Sequence, residues 1–290
     1  MMKYLVRAAR RFRRRFIPND WVLLPIMRSM YTWTISHIPY FSRTGIPVNI
    51  GGLGYFKVHP SLAIGTYEFE TWGSEHNSGF RQWVDACRGK QTVFDIGAHI
   101  GLYALPASRV LGLQGRLYAF EPADTNRYFL DKHLRYNNIT TVEVIPDLVG
   151  DKIRDEVSFF EDTHVNGINS IDQETIARKD FLHQFRKTFK HQVNLDNFCQ
   201  ERNISPEVMK IDVEGGEWKV FQGAREILLQ SKPLIFLSVH PTHLQHLGSS
   251  AEALYSLICE FGYEVYDTQG QTVTRLEKEE YVLKHENIKT

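Results

Sequence analysis

Short apolar runs alternate with amphipathic stretches along most of this chain, and the alternation predicts its elements. Val93-Phe94-Asp95-Ile96 and Leu117-Tyr118-Ala119-Phe120 are near-continuous apolar runs bounded by turn residues, the pattern of strands covered on both faces. The spacing predicts strands over 91–96, 116–120, 141–145, 207–213 and 233–239, with helices over 100–111, 124–136, 195–202 and 216–230 between them. Further helices are expected at 78–88 and near 250–261, and a hairpin pairing 263–268 with 272–284 follows. Strands that alternate with helices need crossover connections, so the expected fold class is α/β, a doubly wound, mostly parallel sheet of Rossmann-like type. Residues 150–194 break the rhythm and read as a β-hairpin with an inserted helix, placed where a lid over a substrate would lie.

Residues 1–50 follow a different pattern. Leu5, Ala9, Phe12 and Phe16 fall on one helical face and Arg7, Arg10, Arg11 and Arg14 on the other, as in a helix lying on an anionic membrane surface. A docking arm with solvated arginines and an organelle transit peptide are the competing readings. Trp21 to Phe41 is aromatic and apolar, but Pro25, Arg28, His37 and Pro39 interrupt it, which makes it a poor membrane span. From 51 to 75, Gly51-Gly52-Leu53-Gly54 and the alternation through Tyr55, Lys57, Thr66, Glu68 and Glu70 predict short strands or a hairpin. The expected organisation is an extension over 1–50, prelude strands and a helix over 51–90, and a main domain over 91–290.

Charge changes that picture in one respect. The 290 residues carry 34 basic and 34 acidic side chains, so no global field directs the protein to nucleic acid. Seven of the basic residues precede Asp20, which leaves 27 basic against 34 acidic residues in the remainder. Cys87, Cys199 and Cys259 are odd in number and far apart, which predicts a reducing, cytoplasmic setting without a disulfide or zinc framework.

Two segments carry chemistry. In the first, Asp95-Ile96-Gly97-Ala98-His99-Ile100-Gly101 joins a strand to a helix, and Glu121 ends the next strand. The glycines allow close approach of a ligand to the backbone, and a carboxylate at Glu121 can accept hydrogen bonds from ribose hydroxyls. The D-x-G-x-x-x-G spacing differs from the G-x-G-x-x-G of a dinucleotide site, which disfavours a nicotinamide-dependent reductase and favours S-adenosylmethionine. The cofactor-binding candidates are Asp95, Gly97, Ala98, Gly101 and Glu121, with a loop from Asp147 to Asp151 closing over the adenine. A plain strand–turn–helix is the competing structural reading of the glycines.

The second segment is Lys210-Ile211-Asp212-Val213-Glu214-Gly215-Gly216-Glu217. On an extended strand Lys210, Asp212 and Glu214 share one face, and His240 follows the next strand near the same rim. Asp212, Glu214 and His240 are the catalytic candidates: together they could deprotonate a hydroxyl, or hold a divalent metal that lowers its pKa. A salt bridge from Lys210 plus helix capping is the competing account of the acids, and a satisfied rim position that of His240. His59, His76, His99 and His243 show no metal-ligand spacing and read as surface or packing residues.

With these residues in place the chain resembles the FkbM family of S-adenosylmethionine-dependent methyltransferases. The resemblance rests on Thr66-Tyr67-Glu68, the Asp95–Gly101 loop, Phe120-Glu121-Pro122, Asn137-Asn138, Leu195-Asp196 and, above all, Lys210-Ile211-Asp212-Val213-Glu214-Gly215 with Glu217. It implies a seven-strand class I methyltransferase sheet and O-methylation of a hydroxyl on a sugar, glycolipid or secondary metabolite. It also implies that Tyr67 and Glu68 lie near the cofactor mouth. Two positions depart from the family pattern: His99 stands where asparagine is usual, and Ser238 replaces the glutamate of a Glu-x-His ending while His240 remains. A catalytically inactive, membrane-associated scaffold that keeps the fold is the alternative, motivated by the basic N-terminal segment and Ser238.

Overall fold

The computed structural model describes residues 38–63, 69–74, 77–162 and 185–286. The basic segment at 1–20, Tyr67, Glu68 and the helix expected within 150–194 lie outside the described residues.

The described chain opens with helix α1 (Pro39–Thr44), hairpin strands β1 (Ile46–Asn49) and β2 (Tyr55–Val58), and helix α2 (Pro60–Ala63). A turn of 3-10 helix at Phe69–Thr71, in place of an extended Glu70, precedes helix α3 (Phe80–Ala86). Strand β3 (Thr92–Ile96), helix α4 (Ala104–Ala107), strand β4 (Arg116–Phe120), helix α5 (Asp124–Tyr136) and strand β5 (Val142–Ile145) form the first parallel half. A separate three-stranded sheet follows: β6 (Leu148–Val149) pairs parallel with β8 (Phe185–Val193), which pairs antiparallel with β7 (Arg154–Asp162). The second half contains helix α6 (Leu195–Arg202), strand β9 (Val208–Ile211), helices α7 (Glu217–Gln222) and α8 (Arg225–Gln230), and strand β10 (Leu234–Ser238). It continues with helices α9 (Pro241–His246) and α10 (Ala251–Glu260) and ends in strands β11 (Tyr263–Asp267) and β12 (Glu280–His285).

The seven-stranded sheet has the order β11-β12-β10-β9-β3-β4-β5, with β12 antiparallel to both its neighbours. The chain winds outward in one direction from β3 and returns to the other side of it at β9. That reversal puts the carboxyl ends of β3 and β9 at a topological switch point, where helices diverge and leave a crevice. Apolar side chains pack on both faces of the sheet. Phe94, Phe120, Phe198 and Met209 belong to one cluster, and Trp83, Val93, Leu105 and Phe236 to the other. The N-terminal hairpin is docked on α5 through polar contacts. The Asn137 side chain accepts from the Lys57 N–H at 2.9 Å and donates to its carbonyl at 2.8 Å. The His59 N–H donates to His133 Nε2 at 3.0 Å.

Three expected elements are altered, each for a local reason. The helix expected at 100–111 keeps only Ala104–Ala107, because Gly101 has φ +88° and Pro106 has no N–H to continue the ladder. The helix expected at 216–230 divides at Gly223, where a Cβ would lie 2.0 Å from the Gly150 carbonyl oxygen. The Asp196 carboxylate accepts the Glu226 and Ile227 N–H groups, both at 3.1 Å, and so caps the second helix from outside. The strand expected at 207–213 stops at Ile211, and Glu214 takes φ +49°. Asp212 and Glu214 therefore reach one rim by a turn rather than by strand alternation.

Candidate active site

Backbone geometry at the end of β3 creates the space for a ligand. Gly97 has φ +86°, and a Cβ there would fall 1.9 Å from the Asp212 carbonyl oxygen, so the β3 and β9 loops touch only because that position is glycine. The Gly97 and Ala98 N–H groups both donate to the Phe120 carbonyl at 2.9 Å. This folds the loop across the end of β4 and brings the His99 N–H to Glu121 Oε2 at 2.7 Å. The other Glu121 oxygen accepts from the Ala123 N–H at 2.9 Å and from Asn126 Nδ2 at 3.3 Å. Burial pushes the Glu121 pKa up to about 7, against the pull of these donors.

A cavity of about 260 Å³ opens beside this loop. Gly97, Ala98 and Glu121 line it together with Leu148 and Phe159 of the three-stranded sheet, the preceding Asp147, and Asp212 and Glu214. Next to it is a more open cleft of about 660 Å³, lined by Ser78, Ser238, His240, Thr268, Gln269 and Glu280 among others. Asn77, Asp212 and Glu214 line both spaces and form the wall between them. The three-stranded sheet is tied down by charge. Asp124 and the buried Glu161 meet Arg186 at 3.4 and 2.7 Å, and Lys190 at 2.7 and 3.6 Å.

The acids and histidine at the dividing wall form a connected cluster. Lys210 Nζ lies 3.0 Å from Asp212 Oδ2 and 3.9 Å from Asp95 Oδ1. Burial alone would raise the Asp212 pKa, but the Lys210 and His240 charges outweigh it and hold the carboxyl below its ordinary value. Burial would likewise lower the Lys210 pKa, and Asp212 and Asp95 reverse that and raise it. His240 Nδ1 contacts Oε1 of the fully buried Glu217 at 2.7 Å, while its Nε2 is 3.8 Å from Asp212 Oδ1 and 3.7 Å from Glu214 Oε1. His243 Nδ1 is 3.0 Å from Glu214 Oε2, and its ring stacks on His240 at 5.7 Å. Burial lowers the His240 pKa, yet the hydrogen bond to Glu217 and the charges of Glu214, Glu217 and Asp212 prevail and raise it to about 9. With nothing bound, His240 keeps its proton at neutral pH.

Several residues fall elsewhere. Asp95 is fully buried behind the cavity wall facing Lys210, and burial pushes its pKa up to about 6. Gly101 supports the turn rather than lining the cavity, its N–H donating to the Ala98 carbonyl at 2.9 Å. Asp151 is held by Arg154 at 2.7 Å at the base of the β7–β8 hairpin, outside the cavity lining. Sequence reasoning overlooked His99, which lines the cavity, and His243, which contacts Glu214. The three-residue spacing of His240 and His243 across Pro241 was the available signal for the second. Glu280 was also missed. It lies opposite Ser238 in the strand register and brings a carboxylate to that rim from β12. It accepts from Tyr103 Oη at 3.0 Å, Asn77 Nδ2 at 3.2 Å and the Gly79 N–H at 2.9 Å.

Comparison with known proteins identifies a family. Residues 95–265 match the Methyltransferase FkbM domain. Among solved structures the chain is similar to methyltransferase FkbM from Methylobacillus flagellatus, with 18% identity and a TM-score of 0.42 over 68% of this chain and 43% of that one. The match thus spans less than half of the Methylobacillus chain. It is also similar to an O-methyltransferase from Bacillus cereus in complex with SAH, with 10% identity and a TM-score of 0.41 over 98% of both chains. A precorrin-6y C5,15-methyltransferase from Geobacter metallireducens is 13% identical, with a TM-score of 0.40 over 71% of this chain and 87% of that one. No curated protein sequence matches. The β11-β12-β10-β9-β3-β4-β5 order is that of a class I methyltransferase sheet, and the matched region contains the glycine loop, Glu121, the acid cluster and His240. The chain belongs to the FkbM methyltransferase family.

Proposed function

We propose that this protein transfers the methyl group of S-adenosylmethionine to a hydroxyl of a polyhydroxylated acceptor, of the sugar or glycolipid class. The observation that carries the reading is the pair of adjoining spaces: a smaller, less open one beside Glu121 and a wider polar one, sharing Asp212 and Glu214 as their boundary. In this reading Glu121 accepts the ribose hydroxyls while its own backbone donors keep it in place. The three-stranded sheet excludes water from the adenosyl group. The methyl group points through the shared wall into the cleft, where the attacking oxygen must be held in line with it.

The cleft lining supports a sugar-like acceptor. Asn77, Ser78, Ser238, Thr268 and Gln269 offer hydrogen-bond donors and acceptors, and Val239 is the apolar residue among those lining it. A flat aromatic or acyl acceptor would leave these groups unpaired at a cost. Asp212, held ionised by Lys210, accepts a hydrogen bond from the acceptor hydroxyl and takes up the proton that the oxygen loses as it bonds to the methyl carbon and the sulfur departs as a thioether.

Calorimetric titration with S-adenosylmethionine and its demethylated product, followed by transfer of labelled methyl to neutral monosaccharides and to catechol, tests the reading. Cofactor binding with transfer to a sugar hydroxyl is the expected result. Absence of cofactor binding by folded protein overturns it, and transfer to catechol alone overturns the acceptor class.

A further inference from the structure

We infer that Asp212, Glu214 and His240 form a binding site for one divalent cation of the Mn²⁺ or Mg²⁺ class at the wall between the two cavities. One ligand atom from each of the three lies within 4.8 Å of the others. What distinguishes this group from an ordinary ion-pair cluster is how the remaining atoms are used. Asp212 turns Oδ2 to Lys210 at 3.0 Å, Glu214 turns Oε2 to His243 at 3.0 Å, and His240 turns Nδ1 to Glu217 at 2.7 Å. Asp212 and His240 are therefore fixed by hydrogen bonds to separate partners, Glu214 Oε2 lies against His243 without a hydrogen bond, and Oδ1, Oε1 and Nε2 are left to face one another. A buried carboxylate on the far ring nitrogen is the usual support of a metal-binding histidine, because it sets the tautomer and aims the lone pair. Glu217, fully buried and with Oε2 unpartnered among the described residues, meets that description.

Charge points the same way. Asp95, Asp212, Glu214 and Glu217 are gathered here, and among the described residues Lys210 is the one ammonium within ion-pair distance of any of them. Two carboxylate oxygens and one imidazole nitrogen make a predominantly hard donor set, suited to Mn²⁺ or Mg²⁺. The separations of 3.7 and 3.8 Å from Nε2 to the two oxygens exceed the ~3 Å edge that bonds of about 2.1 Å would span in an octahedron. Binding would thus shorten those two separations by less than about 1 Å each, a side-chain adjustment. All three ligands line the open cleft, so the remaining coordination positions would face an incoming acceptor oxygen. A cation there lowers the pKa of a coordinated hydroxyl.

The test is titration of the chelator-treated full chain with MnCl2, followed by loss of the free Mn²⁺ electron paramagnetic resonance signal. One bound ion per chain is expected, weakened at least 10-fold by Asp212→Asn or Glu214→Gln and about 10- to 100-fold by Glu217→Gln. A wild-type chain that leaves the signal unchanged overturns the inference, and so does binding indifferent to the first two substitutions. Should a variant fail to fold, paramagnetic broadening in the wild type decides. Methyl signals of Val213 and Val239 must be lost first, and broadening centred elsewhere overturns the inference. The inference rests on the proposed methyl transfer only for its use. Calorimetry with the demethylated cofactor, without metal, reports on that reading separately.

Discussion

Glu121 is the residue on which cofactor affinity should turn. Two backbone N–H groups, from His99 and Ala123, point at opposite oxygens of its carboxylate. An amide cannot accept both, since its NH₂ would confront one of them. Glu121→Gln should therefore weaken S-adenosylmethionine binding nearly as much as Glu121→Ala, by about 10- to 100-fold, given about 1.5–3 kcal/mol for a charged hydrogen bond. Because burial lifts the Glu121 pKa to about 7, affinity should also fall as pH drops through that value and the carboxylate takes up a proton. Calorimetry at pH 6 and pH 8 checks both points. Gly97 poses a steric question instead. A Cβ 1.9 Å from a carbonyl oxygen, at φ +86°, forces the β3 and β9 loops apart. Gly97→Ala should cost at least ~2 kcal/mol in urea unfolding, as well as cofactor binding. Gly97 and Glu121 were legible in the sequence because turn chemistry and strand ends leave fixed spacings. Glu217 was not recognised as a support for His240, because an acid in the first turn of a helix looks the same whether it caps the helix or holds a histidine.

At the scale of elements, the five parallel strands were readable from apolar runs alone, since both faces are buried and no register choice was needed. What escaped the periodicity were the departures at strand ends. Residues after Ile211 still alternate in polarity, yet Glu214 adopts a left-handed conformation and the strand has ended. The division of the 216–230 helix depends on Gly223 meeting Gly150, a long-range contact that no local pattern contains. The β7–β8 hairpin is the element with most to reveal in experiment. Its hold on α5 runs through Glu161, Arg186, Lys190 and Asp124. Glu161→Ala leaves Lys190, mostly buried, without that partner, and should raise amide exchange in β7 and β8 and weaken cofactor binding by several-fold. Unchanged exchange in the hairpin would show that the charges do not hold it.

For the molecule as a whole, the docking of the N-terminal hairpin on α5 introduces sensitivity to acid. His133 donates from Nδ1 to the Ile100 carbonyl at 2.8 Å and accepts the His59 N–H at Nε2, an arrangement that requires the neutral ring. Burial lowers the pKa of His133 and of His59 to about 4. An unfolded histidine titrates near ~6.5. The unfolded chain therefore binds the proton first, and the stability from His133 is complete above that value and is lost as pH falls towards 4, by up to about 3 kcal/mol. Asp95 and Glu121, with raised pKa values, act in the opposite sense over the same range. The informative quantity is thus the difference in denaturation midpoint between wild type and His133→Gln, which should shrink from pH 7 to pH 4.5. Among the described residues no helix is long and apolar enough to cross a membrane.

The position of β12 has a consequence for how the protein comes into being. This strand is synthesised after β10 and β11 yet lies between them, and its Glu280 holds Asn77 and Gly79 from some 200 residues earlier. On the ribosome, the sheet must wait with a gap between its neighbours until this strand emerges, and the wall dividing the two cavities waits with it. A nascent chain arrested before Glu280 can collapse around β3, β4 and β9, but it has no finished pocket for a ligand to stabilise. Cofactor in the cell can therefore rescue a weakened variant of this protein only after translation has passed that point.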